Sequence, residues 1–170
     1  MRCIKKGRAS SMTAQALGLT AYQGDLTGYS QILFKEASAS LSFSENGYVY
    51  YPAYAIDQDE KRPWVEGVKG DGIGEHLVLS FDRVENVDLL RIHPGFASAY
   101  EKNNRPRMVE LGFSDGSAVS YELEDLNDGI CIQFSRPVET KFIKITIQSV
   151  YPGKVPDTCI SEVSAYATHH

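Results

Sequence analysis

The sequence is short of the features on which many function classes depend. Three cysteines, Cys3, Cys131 and Cys159, are too few in 170 residues to staple a small scaffold. None stands in a Cys-x-x-Cys pair, which argues against zinc-ribbon and thioredoxin-like chemistry. Either a Cys131 to Cys159 bridge or two thiols packed as small hydrophobes is open, and the apolar runs beside both residues favour the thiols. No stretch approaches the ~20 consecutive apolar residues that a spanning helix needs, so no membrane insertion is expected. The basic opening Met1 to Arg8 is not followed by the apolar run of ~7 to 15 residues that marks an intact signal peptide.

Catalytic signatures are also missing. There is no HExxH, no GxSxG and no GxxxxGK followed by Ser or Thr. Gly70-Asp71-Gly72-Ile73-Gly74 runs into a strand pattern and so lacks the helix N-terminus that would hold a phosphate. His76 and His93 are not at ligand spacing from another histidine or cysteine and read as structural. Glu66 and Glu75 are the carboxylate pair to consider for acid/base work, but the sequence sets no distance between them, and the expectation is a chain that is not an enzyme. Charge is uneven. Residues 1 to 24 hold four basic and no acidic residues, which leaves 13 basic against 22 acidic residues downstream. A body of that sign repels phosphate backbones, so no nucleic-acid partner is expected, the short basic stretch Lys102 to Arg107 notwithstanding.

What is present is a globular composition, 42% hydrophobic and 23% charged, with ten Tyr and seven Phe, in a length that suits one domain. Residues 1–30 lack sustained periodicity and read as a flexible arm, with at most a short helix near Thr13 to Leu17; residues 31–168 read as the domain. There, short runs of period two recur between Gly, Pro, Asn and Asp clusters. The runs are Ala39 to Phe43, Tyr48 to Tyr51, His76 to Phe81, Val87 to His93, Val109 to Phe113, Val119 to Leu123, Ile130 to Phe134, Phe142 to Ile147 and Val163 to Tyr166. An Asp-Gly step in Ser114-Asp115-Gly116-Ser117 predicts a tight hairpin between two of them. This all-β pattern predicts a two-sheet antiparallel jelly-roll sandwich. Its long loops, Pro52 to Glu75 and Gly95 to Arg107, are the expected seat of function.

Residues 55 to 64 carry a family resemblance. Ala55-Ile56-Asp57-Gln58-Asp59 followed by Trp64 resembles the first signature of discoidin, or galactose-binding-like, modules, with Gln58 where Gly is usual and Arg62 where Thr is common. Four further segments narrow it: Trp64-Val65-Glu66-Gly67 with Gly72-Ile73-Gly74-Glu75; Gly95-Phe96 leading to Tyr100 and Asn103-Asn104-Arg105-Pro106; Val150-Tyr151 with Gly153; and Asp157 to Glu162. Together they resemble the NADase-type glycan-binding domain, in which the NADase chemistry belongs to a separate catalytic domain. The resemblance implies a non-catalytic glycan-binding module of a secreted or cell-envelope bacterial protein. An adhesion or assembly module that binds protein or lipid head groups is the alternative.

The resemblance also implies site residues. Asp57, Asp59 and Glu162 form either a structural calcium site or an Asx turn that closes the loop. Tyr100, Asn103, Asn104, Arg105 and Tyr151 are the expected ligand contacts, offering directional donors beside aromatic faces. For Arg105, an ion pair to Glu66 or Glu75 that pins two loops is the competing role. Trp64 is expected in the core.

Overall fold

The structure, a computed structural model, describes residues 16–169. Thirteen strands follow in order: β1 (Leu19–Ala21), β2 (Tyr29–Ile32), β3 (Glu36–Ala39), β4 (Ser44–Glu45), β5 (Tyr48–Val49), β6 (Trp64–Val65), β7 (His76–Pro94), β8 (Asn103–Pro106), β9 (Met108–Phe113), β10 (Ala118–Glu122), β11 (Ile130–Ile147), β12 (Val150–Tyr151) and β13 (Val155–Thr168). Two 3₁₀ turns, Pro52–Ile56 and Ala97–Ala99, are the helical elements among the described residues. No helix there is long and apolar enough to cross a membrane.

The expected strands His76 to Phe81 and Val87 to His93 are the two halves of β7, and Ile130 to Phe134 and Phe142 to Ile147 are the two halves of β11. The Asp82 to Asn86 and Ser135 to Lys141 stretches look like turns because they are polar, but the backbone runs through them. Register breaks between Gln133 and Val138 and between Thr140 and Phe142 mark irregularities where a strand bends. Each long strand therefore serves both layers of a jelly-roll sandwich. In one layer β3 pairs with the start of β7, which pairs with the end of β11, then β9 and β10. In the other, β1 pairs with the start of β11, which pairs with the end of β7, then β13 with β2 and β6 along it.

Alternation puts one apolar face of each layer inward. Leu77, Leu79, Leu111, Ile143 and Ile145 from the first layer and Leu90, Ile92, Ile132 and Val163 from the second belong to one buried cluster. Trp64 joins it with no exposed surface, and its indole N–H donates to the Leu41 carbonyl at 3.1 Å, the polar partner a buried tryptophan requires. The β9–β10 hairpin forms as expected, with Asp115 accepting from the Ser117 backbone N–H at 2.8 Å.

Three expectations need correction. The expected strand Ala39 to Phe43 is displaced, because the strand there is Glu36–Ala39 and residues 40–43 lie outside it. The boundary at residue 31 lies too late: Leu19–Ala21 pairs with Ile132–Phe134, and Tyr29–Ile32 pairs with β13, so backbone hydrogen bonds tie part of the expected arm to the sandwich. Residues 1–15, which include Cys3 and most of the expected helix at Thr13 to Leu17, lie outside the described residues. The second loop, Gly95 to Arg107, contains β8, held between β12 and β13. Cys131 and Cys159 are free thiols, and burial pushes that of Cys159 well above its ordinary value.

Candidate functional site

The loops that carry the expected ligand residues are locked from within. Arg105 is nearly buried and makes two parallel bonds to Asp125, from Nε at 3.0 Å and Nη2 at 2.7 Å, while its Nη1 donates to the Pro152 carbonyl at 3.3 Å. Its guanidinium lies 4.9 Å from the centre of the Tyr100 ring, and the Tyr100 hydroxyl donates to the same Asp125 carboxylate at 2.8 Å. Gly95 makes this stack feasible: its φ is +80°, and a Cβ there would sit 2.5 Å from Arg105 Cγ. The Arg105 hydrogen bonds hold the Asp125 carboxyl below its ordinary value, and burial with the Asp125 bond pushes the Tyr100 hydroxyl up.

Asn104 is as fully engaged. Its amide donates to Asp71 at 2.9 Å and to the Pro156 carbonyl at 3.2 Å, and accepts from the Gly153 N–H at 2.7 Å. The Tyr151 hydroxyl donates to the Leu123 carbonyl at 2.9 Å. Of the five expected ligand contacts, Tyr100, Asn104, Arg105 and Tyr151 therefore hold loops together, and Asn103 alone lines the cleft described below. The expected Arg105 partners, Glu66 and Glu75, are replaced by Asp125. Glu66 is fully buried and accepts from the backbone N–H groups of Val68 and Thr158, while Glu75 accepts from Ser40; both carboxylates serve the fold. Buried His93 is likewise structural, its Nε2 2.9 Å from Asn127 Oδ1 and its Nδ1 3.2 Å from Glu60 Oε2.

Asp57, Asp59 and Glu162, the residues expected to hold calcium, lie around the turn at Gln58. Gln58 takes φ +65°, so the loop turns as it would around glycine. Asp57 Oδ1 accepts from the Asp59 N–H at 2.9 Å and Asp59 Oδ1 from the Lys61 N–H at 3.1 Å, two successive Asx turns. The remaining oxygens of the two aspartates face Arg62, at 2.8 Å and 3.3 Å, and Glu162 accepts the Gln58 N–H at 3.1 Å. Among the described residues, no group of three or more His, Cys, Asp or Glu side chains is placed to hold a metal ion. The donor set does not fit a three-carboxylate calcium cage, because the Arg62 guanidinium already supplies the positive charge to two of its members.

Two open clefts flank this framework. The larger, of about 640 Å³, is lined by Gln58, Asp59, Glu60, Arg91, Glu162 and Tyr166 among others. Two of its charged side chains, Arg91 and Glu60, pair with each other at 2.8 Å. The smaller, of about 220 Å³, has Phe43, Tyr50 and Phe96 beside Glu45, Lys102, Asn103 and Asp157. The Phe43 and Tyr50 rings lie 6.1 Å apart, and Tyr50 meets Phe96 edge-on at 6.3 Å. Burial and the Glu45 charge push the Asp157 carboxyl above its ordinary value, and Lys102 pulls it back. An aromatic wall with carboxylate, ammonium and amide groups beside it can hold a ring that is apolar on its faces and hydroxylated at its edge.

The sequence contained a signal for this cleft that the strand pattern obscured. Asn46-Gly47 is the dipeptide preferred in two-residue hairpins, and both residues have positive φ, +52° and +81°. The turn pairs β4 with β5 and thereby sets Glu45 and Tyr50 around the cleft mouth.

A family model described as "NAD glycohydrolase translocation F5/8 type C domain" matches residues 28–166. The chain belongs to this family. Solved structures similar to this F5/8 type C domain include the family 32 carbohydrate-binding module of Clostridium perfringens NanJ in complex with galactose. It is 20% identical with a TM-score of 0.59, over 88% of this chain and 99% of that one. A second is the C. perfringens module CpGH89CBM32-5 in complex with GalNAc-β-1,3-galactose, at 15% identity and TM-score 0.63, over 78% and 94%. A third is the family 32 module of AlyQ in complex with 4,5-unsaturated mannuronic acid, at 16% and 0.59, over 80% and 97%. At these identities the likeness of the F5/8 type C domain to them is one of fold. No curated protein matches the chain.

Proposed function

We propose that this F5/8 type C domain is a non-catalytic glycan-binding module and that the Phe43–Tyr50–Phe96 cleft is its sugar site. The observation that carries this is the pairing of an aromatic wall with Asp157, Lys102 and Asn103 in an open cleft of about 220 Å³. Aromatic faces match the C–H face of a sugar, and charged or amide groups at the rim take its hydroxyls. The similar solved modules hold galactose, GalNAc-β-1,3-galactose or a mannuronic acid derivative, which supports a carbohydrate as the ligand.

A glycan on a cell surface or envelope suits a secreted or envelope-associated bacterial protein. The family description names translocation of an NAD glycohydrolase, and attachment to a target glycan is the step in such a process that this geometry fits. Titration calorimetry of the protein with galactose and with GalNAc-β-1,3-galactose, repeated on Phe96→Ala, tests the reading. Heat of binding that the variant loses supports it. Attachment to cells that persists in the variant and ignores free sugar favours the adhesion alternative, with a protein or lipid head group as ligand.

A further inference from the structure

The cleft does not end at Tyr50. Tyr48 meets Tyr50 edge-on at 4.9 Å, Tyr48 and Tyr54 stack at 6.3 Å with 29° between their planes, and Tyr51 meets Tyr54 edge-on at 5.8 Å. Phe96, Tyr50, Tyr48, Tyr54 and Tyr51 thus form a continuous row of rings from the cleft outward. Tyr48 is 45% exposed and Tyr51 52%. Single exposed apolar residues are ordinary, whereas these two exposed tyrosines belong to a connected set of rings that reaches the cleft.

We propose that this row extends the sugar site, so that the ligand is an uncharged oligosaccharide of at least three linked pyranose units. This rests on the reading of the cleft as a sugar site. Three features commit the row to a glycan chain. First, it is continuous with the cleft through Tyr50, so a chain seated there is directed along it. Second, its exposed members are tyrosines, which offer an apolar face and a hydroxyl that can stay hydrated, as a sugar with apolar faces and polar edges requires. Third, its charges favour a neutral ligand. Arg62 caps the Tyr54 ring at 4.8 Å but is already paired with Asp57 and Asp59, and at the other end Glu45 and Asp157 outnumber Lys102 and repel carboxylate sugars.

The test is affinity against chain length. Titrations use β-1,4-linked galactose and N-acetylglucosamine series of one to four units, with trigalacturonic acid as the charged control. The protein is wild type, Tyr48→Ala, the double variant Tyr48→Ala with Tyr51→Ala, and the cleft variant Phe96→Ala. Covering one or two further ring faces corresponds to about tenfold tighter binding of a trisaccharide than of its monosaccharide in at least one series. In Tyr48→Ala that ratio falls toward one, and melting temperatures confirm that the exposed-site variants remain folded. Equal affinity for one and three units overturns the proposal, as does equal weakening of both by Tyr48→Ala or tighter binding of trigalacturonic acid. In each of those outcomes the cleft still binds sugar. Failure of every saccharide to bind overturns the sugar-site reading itself.

Discussion

Removing the Arg105 guanidinium should loosen the loops that frame the cleft. Arg105→Ala deletes two parallel bonds to Asp125, the bond to the Pro152 carbonyl and the stack on Tyr100. Truncating one partner of a fully buried ion pair costs ~3–5 kcal/mol. The Asp125 side chain is 38% exposed and can rehydrate once its partner is gone, so part of that cost is screened and ~2–3 kcal/mol remains. For a domain of this length each kcal/mol moves the melting temperature by roughly 2–4 °C, giving a fall of about 4–12 °C. Thermal and urea unfolding measure it. Arg105→Lys should recover little, because an ammonium can neither make both bonds at once nor stack as a plane. In a double-mutant cycle with Asp125→Ala, the two changes should couple by more than ~1 kcal/mol. Melting of Arg105→Ala within ~1 °C of the wild type, or a cycle without coupling, would refute the lock.

The remaining predictions concern the Asp57 loop and Glu162. Burial and the Asp57 charge push the Glu162 carboxyl from 4.5 up to about 8. A raised folded value means stability fully present below about pH 4.5 and lost progressively up to about pH 8. Glu162→Gln should therefore match the wild type near pH 4.5 and exceed it at pH 8 by a few kcal/mol, with ~5 kcal/mol as the ceiling, measured by urea unfolding. Parallel stability curves for the two proteins would contradict this. Because Arg62 supplies the charge to Asp57 and Asp59, neither chelator nor millimolar calcium should move the melting temperature of the wild type. A calcium-dependent rise of several degrees would restore the metal. Arg62→Thr should melt lower by an amount worth ~1 kcal/mol, because its ion pairs are exposed; an unchanged melting temperature would count against that role.

Much of the sandwich was legible because its physics is local. Leu77, Leu79 and Phe81, or Ile143, Ile145 and Ile147, declare their inward face by period two alone, and Asp115-Gly116 declares its turn. Trp64 was legible as core because a lone indole near a loop is better buried than left in water. The continuity of β7 through Asp82 to Asn86 was not legible, since a polar stretch of long strand looks like a turn.

The site was harder to read for a related reason. Asn104 and Arg105 are polar residues in what looks like a long loop, and nothing local reveals that Asp71, Gly153 and Asp125 come from distant segments to bury and satisfy them. The cleft draws on residues as far apart as Phe43, Phe96 and Asp157, a combination that only the fold assembles. The Asn46-Gly47 turn was the one local sign of it.

The most direct test of the account is a nitrogen-15 correlation spectrum of the protein titrated with galactose and with GalNAc-β-1,3-galactose. The account predicts shifts confined to the backbone around Phe43 to Tyr50, Phe96, Lys102, Asn103 and Asp157, which disappear in Phe96→Ala. Shifts centred instead on the Glu60, Arg91 and Glu162 cleft, or no shifts with either sugar, would contradict it.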